Sequence, residues 1–124
     1  MTPAALWRRF RRWAAGLRRS RLVQRFRRPA PPWRIDFVDG DILPATLPER
    51  CVVVTSEDGE PWSAGLACPC GCGDMIELPL FPEADQHWRV RVGDDGLPSL
   101  SPSVWRRTGC RSHFWLRRGR IHWC

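Results

Sequence analysis

A chain of 124 residues has room for one domain, or for one small domain with an appendage. All 20 basic residues are arginine, and ten of them lie in residues 1–28, where there is no acid; from residue 29 on, ten arginines face 13 acids, so that part is −3 while the whole chain is +7. The high pI belongs to the tail, which excludes reading the entire chain as a nucleic-acid binder from its charge.

Leu6, Phe10, Trp13 and Leu17 recur at spacings of 4, 3 and 4, the face of a helix. Trp7 and Ala14 widen that face, and arginine pairs fill the rest. The spacing predicts a basic amphipathic helix over residues 4–28 that can lie on an anionic membrane or touch nucleic acid. The competing reading is a poorly ordered extension. Arginines interrupt residues 4–27 too often for a secretory h-region, and no run has the length of a membrane span. The expected compartment is a reducing cytoplasm, where clustered cysteines read as metal-binding or catalytic rather than as disulfides.

Pro29-Ala30-Pro31-Pro32 is a stiff linker that no helix crosses. It divides the chain into an arginine-rich appendage, 1–32, and a folded domain, 33–124. Within the domain, short extended runs at 33–38, 51–55, 63–68, 75–80, 87–92, 113–117 and 120–123 alternate with turns. Asp39-Gly40, Asp58-Gly59, Asp95-Gly96 and Arg118-Gly119 supply those turns. Residues 40–50 read as a loop or a short helical turn. The expected class is mainly β: a small metal-stapled antiparallel sheet or sandwich with an N-terminal basic helix. Six tryptophans fall in the domain, and each is expected to pack in its thin core, where large rings bury much area.

The metal is read from two clusters. Cys68-Pro69-Cys70-Gly71-Cys72-Gly73 places cysteines at alternate positions, and residues i and i+2 of an extended segment face the same side. Cys110-Arg111-Ser112-His113 adds a C-x-x-H knuckle. Zinc takes four ligands, mostly cysteine sulfur and histidine nitrogen, but five candidates are present: Cys68, Cys70, Cys72, Cys110 and His113. Either one cysteine of the triplet is idle and the site is Cys3His, or all three bind with Cys110 and His113 is free. The first is preferred, with Cys70 and Cys72 the firmer pair. An iron–sulfur centre is the alternative cofactor.

If His113 is free it can serve as a general base. Ser103 and Ser112 are then candidate nucleophiles, with Asp74, Glu77 and His87 available to orient a histidine. The structural readings are that Ser112 hydrogen-bonds a thiolate and that Ser103 caps a turn. A catalytic zinc would need an open position, and this sequence offers too many ligands.

These motifs, together with Leu78-Pro79-Leu80, Trp88, Leu100-Ser101-Pro102-Ser103-Val104, Phe114-Trp115-Leu116 and the closing Gly119-Arg120-Ile121-His122-Trp123, resemble one family of small bacterial proteins. It is catalogued as a domain of unknown function, and its members are often encoded beside ubiquitin-like proteins and their activating and conjugating enzymes. The resemblance spans about residues 33–124. It implies an accessory protein of a ubiquitin-like conjugation pathway, with the ubiquitin-like protein or its conjugation enzymes as partners. A processing or deconjugating hydrolase is the favoured form, and Ser103, Ser112 and His113 are the matching positions. The alternative is a non-catalytic zinc-dependent interaction module, and a third class is an iron–sulfur redox protein.

Overall fold

A computed structural model describes residues 30–124; the helix expected over 4–28 lies outside the described residues. Eight strands make two four-stranded sheets. Sheet I contains β1 (Arg34–Asp39), β2 (Cys51–Glu57), β3 (Glu60–Ala67) and β4 (Met75–Pro79), in that order. Sheet II contains β5 (Arg89–Val92), β6 (Pro98–Trp105), β7 (His113–Arg117) and β8 (Arg120–Trp123), again in chain order.

The strands form where the residues favour them. Cys51-Val52-Val53-Val54-Thr55 is β-branched almost throughout and makes the most buried strand. Two hairpins close with two-residue turns whose residues all have positive φ: Asp58 (51°) with Gly59 (80°), and Arg118 (48°) with Gly119 (74°). That is the primed turn whose twist matches the strands it joins. The sheets share one core. Val52, Val54, Ala64, Leu66, Ile76 and Leu78 come from sheet I, and Leu100, Val104, Phe114 and Leu116 from sheet II, with Trp33 at the entrance. Burying each large apolar side chain contributes roughly 1.5–3 kcal/mol.

Two expectations are corrected. The sheets are not wholly antiparallel, because β1 pairs with β2 in parallel, Arg34 opposite Cys51 through Asp39 opposite Ser56. Residues 40–50 carry the chain back so that β2 starts at the same end as β1. They form no helix, and they bring Leu43 and Leu47 over Gly65 of β3: a Cβ at position 65 would sit 2.7 and 2.8 Å from the Leu43 methyls. This cover explains why β2 is buried on both faces, like a strand of a doubly covered sheet. Nor do all six tryptophans fill the core. Trp33 is 2% exposed, but Trp105 is 58% and Trp123 55% exposed.

Candidate functional site

The site begins with an irregular strand. β6 contains Pro98 and Pro102, and proline is tolerated in a strand only at its start, at an edge or at a bulge. Two of these conditions apply here: Pro98 opens the strand, and Pro102 lies where the register to β7 slips. Leu100 faces Leu116 and Val104 faces Phe114, so β6 advances four residues while β7 advances two. The surplus is the bulge Ser101-Pro102-Ser103, whose Ser101–Pro102 peptide is cis. Bulges re-aim side chains, and this one brings Ser103 Oγ to 2.9 Å from His113 Nε2.

His113 is the first residue of β7 and lies opposite Trp105, whose ring stacks on the imidazole at 5.2 Å and 20°. Trp88 Nε1–H donates to the Ser103 carbonyl oxygen at 3.3 Å and ties down the bulge. A cleft of about 360 Å³ opens beside the serine, lined by His87, Trp88, Pro102, Trp105 and Arg107 among others. Among the described residues, no carboxylate hydrogen-bonds to His113. Asp74 pairs instead with Arg106 at 3.1 Å, Glu77 lies on β4 opposite Gly65, and His87 Nδ1 lies 3.4 Å from the Ala84 carbonyl oxygen. The arrangement is a serine–histidine pair with an aromatic ring against the imidazole.

The second cluster is built from the turn after β3 and the loop before β7. Gly71 and Gly73, at φ of 87° and 86°, take a conformation open to glycine and let residues 68–74 curl back on themselves. Cys68 N–H donates to the Asp74 carbonyl at 2.9 Å, and Gly71 N–H to that of Cys68 at 3.1 Å. The curl brings the sulfurs of Cys68, Cys70, Cys72 and Cys110 within 4.8 Å of one another. A tetrahedral zinc with bonds of about 2.3 Å would set them about 3.8 Å apart; Cys68 is 3.3 Å from Cys70 and 3.6 Å from Cys110.

The surroundings of the sulfurs suit thiolates. Arg106 Nη1 donates to Cys110 at 3.1 Å and to Cys72 at 3.5 Å, and a guanidinium has only hydrogens to offer. The Ser112 hydroxyl, 3.2 Å from Cys110 Sγ, and its backbone N–H pull the Cys110 thiol down to about 6. The same hydroxyl, ahead of the neighbouring sulfurs, lowers Cys70. Cys72 goes the other way, up to about 11: the Asp74 backbone that favours its thiolate is outweighed by burial and by the other three sulfurs. Four sulfurs that cannot all ionise side by side, yet are supplied with donors, fit a soft cation at their centre.

The ligand set preferred from sequence, Cys3His, is therefore not the one the fold gathers. Cys68 joins the other three cysteines, and His113 stands apart with its Nε2 against Ser103. The cause is strand alternation. His113, Trp115 and Arg117 share the outer face of β7 while Phe114 and Leu116 enter the core, so the imidazole follows the sheet and leaves the knuckle. Ser112 lies among the sulfurs, 3.8 Å from Cys68 as well as 3.2 Å from Cys110, and is not hydrogen-bonded to His113. Sequence reasoning missed β6 as a strand, and with it Trp105 and Arg106. The available signal was the apolar residues Leu100 and Val104, interrupted by the serine–proline stretch.

The fold and the site together define a small two-sheet β domain with four clustered cysteines that could hold a metal ion and a serine–histidine pair at a cleft. Residues 39–124, more than half of the chain, match the model of the family described as "Bacterial ubiquitination-like system serine protease (BubE)". The chain belongs to that family, in agreement with the resemblance read from its motifs. No curated protein and no solved structure matches it.

Proposed function

We propose that this chain is a serine peptidase that cleaves an acyl bond at the C-terminus of a ubiquitin-like protein, with Ser103 as nucleophile and His113 as base. The observation that carries the reading is the 2.9 Å contact between Ser103 Oγ and His113 Nε2 beside an open cleft. The hydroxyl attacks the substrate carbonyl as its proton passes to Nε2. The tetrahedral adduct expels the amine, which takes that proton, and leaves an acyl ester on Ser103. Water then repeats the sequence and frees the acid.

Cys68, Cys70, Cys72 and Cys110 would hold a zinc ion whose four positions are all protein sulfur, which makes it structural rather than catalytic. Its contribution is to fix the loop 106–112, which ends at His113, so the staple sets where the base stands. Residues 33–124 form the catalytic body in this reading, and 1–32 are an appendage suited to an anionic surface. A reducing cytoplasm, which keeps the four thiols available to metal, completes it.

The test is incubation of the full chain with a ubiquitin-like precursor bearing a C-terminal extension. Ser103→Ala and His113→Ala should each lower kcat by about a thousandfold or more, and a fluorophosphonate should label Ser103. Cleavage that persists in both variants would overturn the assignment. Ser112→Ala should still cleave, because its hydroxyl serves the sulfurs.

A further inference from the structure

The outer face of sheet II carries more than the serine–histidine pair. Register and strand order set it out in rows, with strands about 4.8 Å apart and same-face neighbours about 7 Å apart along each strand. The row farthest from the site holds Arg91 opposite Ser99, and Arg117 opposite Arg120. The next holds Arg89 opposite Ser101, and Trp115 opposite His122. The third holds Trp105 opposite His113, with Ser103 in the bulge. No acidic residue lies on β5, β6, β7 or β8.

This is a local excess against an acidic background. Residues 87–124 contain eight arginines and two acids, whereas residues 29–86 contain two arginines and 11 acids. The two acids, Asp94 and Asp95, lie in the turn between β5 and β6, where Asp95 Oδ1 accepts from Leu97 N–H at 3.0 Å. Charge on an edge strand discourages edge-to-edge pairing, which would account for Arg89 and Arg91 on β5. It does not account for Arg117, which lies on the inner strand β7.

Resting on the peptidase reading, we propose that this face is the docking surface for an acidic face of the protein substrate. The docked protein would sit on the arginine rows, and its C-terminal segment would run about 14 Å along the strands to Ser103. Arginine is well matched to such a partner, because its planar fork receives a carboxylate in two parallel hydrogen bonds. The Arg117 guanidinium lies 4.4 Å from the centre of the Trp115 ring, and that of Arg107 5.1 Å from the centre of Trp105. Those contacts also argue for a protein over a nucleic acid. Single-stranded nucleic acids stack bases on open aromatic faces, and here each of the two rings has an arginine laid over it.

The experiment compares the full chain with Arg89→Glu/Arg91→Glu/Arg117→Glu, and uses Arg34→Glu on β1 as the control. Residues 1–28 are present in every protein, so the difference reads the face alone. With the extended ubiquitin-like precursor as substrate, the triple variant should raise KM about tenfold or more and hold kcat within about twofold. Added salt should weaken the parent more steeply than the triple variant, and Arg34→Glu should behave as the parent. Glutamine at the same three positions is the milder variant, and it should shift KM in the same direction. An unchanged KM and an unchanged salt dependence in both variants would overturn the proposal. So would a single-stranded oligodeoxynucleotide that binds more tightly than the precursor and is lost in the triple variant. Direct binding of the precursor to Ser103→Ala separates the two readings. Binding that is lost with the three arginines supports the docking surface even where the parent cleaves nothing. Absence of binding to Ser103→Ala overturns it.

Discussion

Sheet I and sheet II are built from the same number of strands around the same core, yet they are finished in opposite ways. In sheet I, β2 is buried on both faces, and the segment 40–50 lies over the outer side through Leu43 and Leu47. In sheet II the strands alternate, with Phe114 and Leu116 in the core and His113, Trp115 and Arg117 outside. The charges divide along the same line, acids with sheet I and arginines with sheet II. A small domain cannot easily use one surface for both cohesion and chemistry. Here the doubly covered sheet supplies the cohesion, and the open sheet carries the serine–histidine pair. The sulfur cluster joins them: Cys68, Cys70 and Cys72 follow β3, and Cys110 precedes β7.

Breaking that joint should therefore have the largest effect. With the proposed zinc in the cluster, Cys70→Ser, or stripping with a strong chelator, should cost several kcal/mol because metal binding of this kind is coupled to folding. Melting temperature and cleavage should fall together, and restoring zinc to the stripped parent should recover both. Metal retention should also decline as pH falls, since protons compete for the thiolates. Metal analysis identifies the ion, and visible absorbance would mark iron. A Cys70→Ser protein that keeps its metal and melts like the parent would show that the cluster is not the joint.

A change confined to sheet I should affect stability and leave the chemistry alone. Gly65→Ala places a methyl against Leu43, and overpacking of this sort costs about 1–3 kcal/mol. The low end is expected, because the obstruction is the end of a leucine side chain that can shift. Leu43→Ala in the same protein should recover part of the loss, a coupling that a double-mutant cycle measures. Below the melting range kcat should be unchanged. If Gly65→Ala lowered kcat at a temperature where the fold is intact, the separation of the two sheets would be wrong.

The same contrast explains what could be read from the residues alone. β2 was legible from its run of β-branched residues, and the two hairpins from Asp58-Gly59 and Arg118-Gly119, because those signals are local. The parallel pairing of β1 was not, since a strand's residues do not encode its direction relative to a neighbour. β6 was hidden for the reason that makes it useful. Its two prolines and three serines lower its strand propensity, and the proline-bearing bulge is what brings Ser103 to His113. The choice among five ligands turned on Cys68, which is packed within the core cluster at 5% exposure and is a member of the sulfur group as well. The spacing Cys110-x-x-His113 looks the same whether the histidine turns to a metal or follows the strand. The alternation His113, Trp115, Arg117 was the signal that separates the two.

The smallest effect on stability should come from Trp105, and it tests the comparison from the other side. At 58% exposure the ring contributes little to the core, so Trp105→Ala should change unfolding free energy by about 0.5 kcal/mol or less, as surface substitutions do. Its effect on the reaction should be larger. The ring stacks on His113 at 5.2 Å, where among the described residues no carboxylate holds the imidazole. In the proposed peptidase, removing it frees the His113 imidazole to turn away from Ser103 Oγ, and kcat should fall about tenfold, since small misplacements of a catalytic group cost at least that much. Trp105→Phe keeps a flat face and should retain most of the rate. Trp105 also lines the cleft, so a rise in KM with kcat intact would assign it to the substrate instead of the base. Loss of stability comparable to that of a core residue would mean that the open face of sheet II is holding the fold together, and the division of labour between the sheets would not stand.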